Sequence, residues 1–170
     1  MRPTISYYEN LARQSIIEAM LKLMETEDFQ KLSITKICQE AKVARRTFYL
    51  YYESKYSVLE DYFAVLTREF DSRFKGDLIF GTLSQYEIFF TFWYEHRNYL
   101  QLLYKQHLFH TLLEHFNYYL INRAKFEKRE DVSNYDFAFS SGGLWAVLYV
   151  WTTEDFKETP SKLAIVVSRI

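Results

Sequence analysis

The chain has 170 residues, a formal net charge of −1, and 49% apolar and 25% charged residues, a balance that excludes wholesale disorder and suits one core or one core plus a small module. Four Gly and two Pro argue against a turn-rich β fold, and a lone cysteine, Cys38, excludes an internal disulfide framework and a Cys-rich zinc site. Nineteen per cent of the residues are aromatic, so rings supply much of the material for a core.

Met1–Arg13 holds no apolar signal core, and the longest apolar run, Leu144–Trp151, is too short to cross a bilayer. A soluble, cytoplasmic protein without a membrane partner is therefore expected. The charge is unevenly placed. Between residues 31 and 56, Lys31, Lys36, Lys42, Arg45, Arg46 and Lys55 face only Glu40 and Glu53, giving a local +4 and leaving −5 elsewhere. A basic patch on a near-neutral chain points to a polyanion, although a solvated charged face would look the same.

Ser6-Tyr7-Tyr8-Glu9 reads as a capping box. Apolar residues then recur at Leu11/Ala12, Ile16, Ala19/Met20 and Leu23/Met24, a 3.6-residue period that predicts a first helix over 7–25. Asp28 is a candidate for the left-handed residue at its exit. Ser33 is a candidate N-cap for a short helix over 33–41, whose Ile34, Ile37, Cys38 and Ala41 share a face. Lys42-Val43 then reads as a turn.

Thr47–Tyr52 has strand propensity, but context favours a helix over 44–52. At about 100° per residue, Ala44, Phe48, Tyr51 and Tyr52 fall on one side. Arg45, Arg46, Tyr49, Leu50 and Glu53 fall on the other, with Thr47 at the border. A strand would scatter these groups over both faces. The trio 7–25, 33–41 and 44–52 has the form of a helix-turn-helix, and arginine forks with Tyr and Thr hydroxyls suit base edges and phosphates. Ser54 is a candidate N-cap for a long helix over 54–75, striped by Val58/Leu59, Tyr62/Phe63, Leu66, Phe70 and Phe74 and stopped at Gly76.

The remainder reads as helices over 83–96, 98–106 and 108–126, a polar connection at 127–134, and a helix from Ser133 or Asn134 to Trp151. Thr159-Pro160, a cap followed by Pro at the first helical position, opens a last helix. The expected fold is all-α, with about nine helices. Its expected parts are a helix-turn-helix domain (1–53), a connecting helix (54–75) and a C-terminal ligand or dimerisation domain (76–170).

Ile34, Ile37, Ala41, Val43, Thr47, Phe48, Tyr49, Tyr52, Lys55 and Leu59 stand where the DNA-binding domain of the TetR family of transcriptional regulators has its pattern, so residues 7–63 resemble that family. Three positions depart from it: Lys42 replaces the turn glycine, Ala44 the capping serine, and Arg46 a small residue. The resemblance implies phosphate contacts by Thr47, Tyr49 and Lys55. It places Arg45, Arg46, Leu50 and Tyr51 on the recognition helix, and Thr35 and Lys36 at the start of the preceding helix. Tyr51 would serve equally as part of the core.

Residues 76–170 show a weaker similarity to compact C-terminal domains of the same family. It implies a homodimer built on the last two helices, with Gly142, Gly143, Ala146, Leu163, Ala164 and Val167 at the interface. Phe90, Trp93 and Tyr104 are candidate walls of a pocket for a flat apolar effector, and the same rings would serve as plain core. His107, His110 and Glu114 at i, i+3 and i+7 could hold a metal, but helix faces often carry such triplets, so neither metal nor cofactor is expected. There is no phosphate-binding Gly loop, nucleophile elbow or zincin motif.

The expected function is therefore a non-enzymatic, homodimeric regulator of transcription, a repressor that binds a palindromic operator in double-stranded DNA. The main alternative is a coregulator whose C-terminal domain docks a partner protein. A helical metal- or ligand-binding enzyme is a third reading.

Overall fold

The computed structural model describes residues 5–73, 82–126 and 133–169, with residues 5–10, 124 and 126 described in backbone alone. Among them lie nine α-helices and no strand. They are α1 (Ile5–Met24), α2 (Ile34–Glu40), α3 (Arg45–Tyr51), α4 (Lys55–Arg73), α5 (Leu83–Glu95), α6 (Arg97–Lys105), α7 (Thr111–Phe126), α8 (Asn134–Thr153) and α9 (Pro160–Val167). A 3-10 turn, Phe29–Lys31, precedes α2. No helix among the described residues is long and apolar enough to cross a membrane. Helix α1 begins before Ser6, and the side chains of the Ser6–Glu9 capping box, like Phe74, Gly76 and most of the 127–134 connection, lie outside the described residues.

The chain divides into two compact units, Met1–Val65 and Leu66–Ile170, with the division inside α4. In the first, α1 packs on α2 and α3. Its core is Ile16, Met20, Met24, Phe29, Ile37, Phe48 and Val58, the apolar stripes of the helices that carry them. Asp28 does not end α1 in the left-handed region. Its φ is −66°, and its carboxylate accepts from the Gln30 amide at 2.8 Å, so it caps the 3-10 turn instead.

The second unit is built mainly from rings. Helix α9 packs on α5, and α8 packs on α6 and α7. Phe89, Phe90, Phe92, Trp93, Phe116 and Trp151 meet edge to face with centroids 5.3–6.4 Å apart. Aromatic quadrupoles favour that arrangement over face-to-face stacking.

Three helices end in the same way, and none of the three exits uses glycine. After α2 the amides of Lys42 and Val43 bond the carbonyls of Gln39 and Cys38. After α6 those of His107 and Leu108 bond Tyr104 and Leu103, and after α8 those of Asp155 and Phe156 bond Thr152 and Trp151. Each pair is a Schellman exit closed by an apolar residue (Val43, Leu108, Phe156). The left-handed position is held by Lys42 (φ 54°), His107 (φ 58°) and Asp155 (φ 54°), and Phe156 (φ 55°) follows in the same region. A side chain there is strained by about 1 kcal/mol relative to glycine.

Candidate nucleic-acid interface

Helix α2 starts at Ser33, whose hydroxyl accepts from the Lys36 amide at 3.2 Å. The Lys42 turn redirects the chain into α3. Ala44 is the N-cap of α3, extended at φ −70°, ψ 148° and without a side-chain cap bond. Relative to a serine cap this costs about 1 kcal/mol. The turn and the missing cap are both local weaknesses, and burial offsets them. Phe48 is fully buried and Tyr52 nearly so, and their rings lie 5.6 Å apart.

The outward face of α3 is the one the wheel predicts: Arg45, Arg46, Tyr49, Leu50 and Glu53 are exposed, and Thr47 and Tyr51 are half-buried. Ala44 is the exception. It is exposed rather than inward, because as an N-cap it lies outside the helical spiral. The Arg45 guanidinium sits 5.8 Å from the Tyr49 ring and donates to its hydroxyl at 3.5 Å. Leu50 projects at 71% exposure, an apolar side chain with no core to join.

Ion pairs thin the basic patch. Lys36 pairs with Glu27 at 2.7 Å, Lys31 with Asp28 at 3.8 Å, and Lys22 with Glu40 at 2.5 Å. Among the described residues no ion pair or hydrogen bond engages the side chain of Lys42 or Arg46. The uncommitted positive charge is thus concentrated at Lys42, Arg45 and Arg46, around the turn and the first turn of α3.

Beneath this face, Asp61 of α4 anchors the trio. Arg13 of α1 donates to both its oxygens, at 2.5 and 3.1 Å, and the Tyr52 hydroxyl donates at 2.7 Å. Burial, together with this bond to a carboxylate, pushes the Tyr52 phenol well above its ordinary range. Burial likewise raises the Cys38 thiol, which sits in the core as an inert side chain. Sequence reasoning missed the Asp61 anchor, because Arg13, Tyr52 and Asp61 lie on three separate elements.

Lys55 departs from the phosphate contact the resemblance implies. Its ammonium donates to the carbonyls of Phe29, Gln30 and Leu32 at 2.5, 2.9 and 3.0 Å and lies 4.8 Å from the Phe29 ring centroid. An ammonium has three donors, so all are engaged within the subunit.

The second unit corrects several expectations. Phe90 and Trp93 are buried among other rings, while Tyr104 is exposed and meets Tyr149, so the three do not form one wall. His107 lies in the left-handed turn before α7 rather than on the helix with Glu114, so the triplet does not share a face, and no group of three candidate ligands occurs among the described residues. Ala164 is fully buried where α9 packs on α5, and is unavailable to a partner. Gly143 and Ala146 are exposed, and Gly142, Leu163 and Val167 half-buried.

An exposed, basic, aromatic-backed helix presented by a tight turn defines a helix-turn-helix DNA-binding regulator of transcription. Residues 16–62 match the family described as bacterial regulatory proteins, tetR family. Over 50 residues the chain is 42% identical to the uncharacterized HTH-type transcriptional regulator YxbF of Bacillus subtilis (strain 168), a stretch that covers 29% of this chain and 13% of that protein. The fold is shared more widely. The dihydroxyacetone kinase operon activator DhaS superposes with a TM-score of 0.58 at 18% identity, covering 93% of this chain and 92% of that one. Residues 16–62 thus carry a DNA-binding domain of the TetR family.

Proposed function

We propose that this regulator acts as a non-enzymatic homodimer on a palindromic operator and represses transcription by occupying it. The observation that carries the reading is the outward face of α3. Arg45, Arg46 and Tyr49 are exposed there over a buried Phe48, beside the unpaired Lys42, while Lys31 and Lys36 are paired with carboxylates and Lys55 with backbone carbonyls. Arg45 and Arg46 read base edges, and Thr35, Lys36, Thr47, Tyr49 and Tyr51 set the register on phosphates and sugars, with Leu50 against a thymine methyl. One seven-residue helix reads few base pairs. Two copies with half-sites about one helical turn apart double the contact.

The second subunit docks on α8. Tyr135 (87% exposed), Phe139 (77%), Gly143, Ala146 and Val150 (52%) form one stripe along it. A Cβ added at Gly142 or Gly143 would meet nothing within 4 Å, so packing inside the subunit does not require either glycine. Two glycines in a helix cost about 1 kcal/mol each against alanine, and close approach of a second α8 offsets that. Leu163 of α9 lines an apolar groove with Ala146, Val147 and Val150 of α8, which widens this surface.

The second reading, a coregulator whose C-terminal unit binds a partner protein, is favoured over release by a small effector by the packing of Phe90 and Trp93 in a ring-filled core. Selection from a random DNA pool tests the reading. Enrichment of a two-fold symmetric site, with Arg45→Ala or Arg46→Ala weakening it by about 1–3 kcal/mol and relaxing one base preference, supports it. Recovery of no sequence at low salt refutes it.

A further inference from the structure

We infer that Lys55 is a positioning residue for DNA binding, a clamp that fixes the backbone leading into α2, rather than a contact to the DNA itself. The inference rests on the DNA-binding reading above, which supplies the contacts being positioned.

Lys55 is the first residue of α4, and Ser54 before it accepts from the Ser57 amide at 3.3 Å. That end of the helix is therefore capped without help from the lysine. The side chain reaches back across 23 to 26 residues of chain to three carbonyls, those of Phe29, Gln30 and Leu32. These carbonyls converge because the 3-10 turn curls their backbone around one point. Without a cation there, the carbonyl of buried Leu32 would have no other donor among the described residues, whereas that of exposed Gln30 would turn to water. The Phe29 ring beneath the ammonium adds a cation–π contact, and Tyr56 beside it donates to the Gln30 side chain at 3.2 Å and meets Phe29 edge-on.

The clamped segment runs directly into the interface. Leu32 is followed by Ser33, whose carbonyl accepts from the amides of Lys36 and Ile37 and starts α2. Fixing the Leu32 carbonyl fixes the direction in which α2 leaves, and with it the side chains of Thr35 and Lys36. A lysine released to meet a phosphate would leave the carbonyl cradle empty. A phosphate contact and the clamp therefore compete for the same three protons.

Lys55→Arg and Lys55→Met separate the two roles. Arginine is a competent phosphate partner, but its planar fork cannot serve three carbonyls converging on one point. A clamp predicts that Lys55→Arg weakens operator binding by about tenfold, with an unchanged slope of log affinity against log salt. A phosphate contact predicts near-native binding for Lys55→Arg, and for Lys55→Met a slope reduced by about 0.9. A clamp also predicts that Lys55→Met speeds hydrogen exchange at the Lys36 and Ile37 amides. Thr35→Ala should then cost less affinity in the Lys55→Met background than in the wild type, whereas general destabilisation would leave the two effects additive.

Near-native binding by Lys55→Arg, or the reduced slope in Lys55→Met, overturns the inference. If Lys55→Met does not fold, the arginine variant decides alone. If the wild type binds no DNA, the DNA-binding reading falls, and exchange at Lys36 and Ile37 then decides the clamp: faster exchange in Lys55→Arg sustains it and native exchange refutes it.

Discussion

The two units solve the problem of holding helices together in different ways. The first uses few, directional polar contacts over a small core: Asp61 takes three hydrogen bonds from two other elements, and Lys55 gives three to one backbone segment. The second uses ring-on-ring packing around Trp151, whose indole also donates to the Glu158 carbonyl at 3.0 Å. Polar clamps fix register, which a surface that must match a DNA groove needs. Aromatic packing gives area with less directionality and leaves one helix, α8, with an exposed apolar stripe.

Trp151→Ala should give the greatest loss of stability, about 3–5 kcal/mol. It is fully packed against Phe90, Tyr94 and Phe156. Urea unfolding measures this, and hydrogen exchange should show the loss centred on residues 66–170. A loss below 1 kcal/mol would mean the rings are not the main support of that unit. Asp61→Ala should cost about 2 kcal/mol, since it orphans the Tyr52 hydroxyl and leaves Arg13 without its partner. Its effect should appear in the exchange of α1 and α3. An even spread over both units would mean that the polar anchor is not specific to the first unit.

Gly143→Leu should weaken the dimer at least tenfold in sedimentation while leaving the subunit folded, because space around that position is open within the subunit. An unshifted dimer would remove α8 from the interface. The smallest effects concern the turns and the phenol. Lys42→Gly and His107→Gly should each stabilise by up to about 1 kcal/mol, read as a rise in Tm. For Tyr52, the folded-state pKa is raised, so the fold favours the protonated phenol. Its contribution is complete below about pH 10 and is lost as pH rises beyond that. Tyr52→Phe should flatten this alkaline loss, and an unchanged alkaline profile would show that the bond to Asp61 does not bias the phenol.

Much of the first unit was legible in the sequence. Phe48 and Tyr52 against Arg45 and Arg46 could be sorted onto two faces of a helix despite the strand propensity of Thr47–Tyr52, because burial of two rings outweighs a backbone preference. Lys42 could be placed at a turn. Ala44, Asp28 and Lys55 were not legible, since each role depends on backbone geometry or on carbonyls more than twenty residues away. In the second unit the helices followed from the scarcity of Gly and Pro, but the partner of each ring did not. Phe90, Trp93 and Tyr104 share an aromatic character, and only the packing of α5, α6 and α8 decides that two are core and one is surface. Ala164 shows the same limit: its small side chain suits a close helix crossing, and the crossing it serves is with α5 of its own subunit.

The central claim is that the outward face of α3 reads DNA. The most direct test is the affinity of Arg45→Ala/Arg46→Ala for the wild-type selected site, at matched salt, with the fold of the variant checked by circular dichroism. Both side chains are exposed, so the variant should fold. A loss of at least about a hundredfold, with discrimination against non-specific DNA largely abolished, is the predicted result. Wild-type affinity and selectivity from the folded double variant would contradict the account.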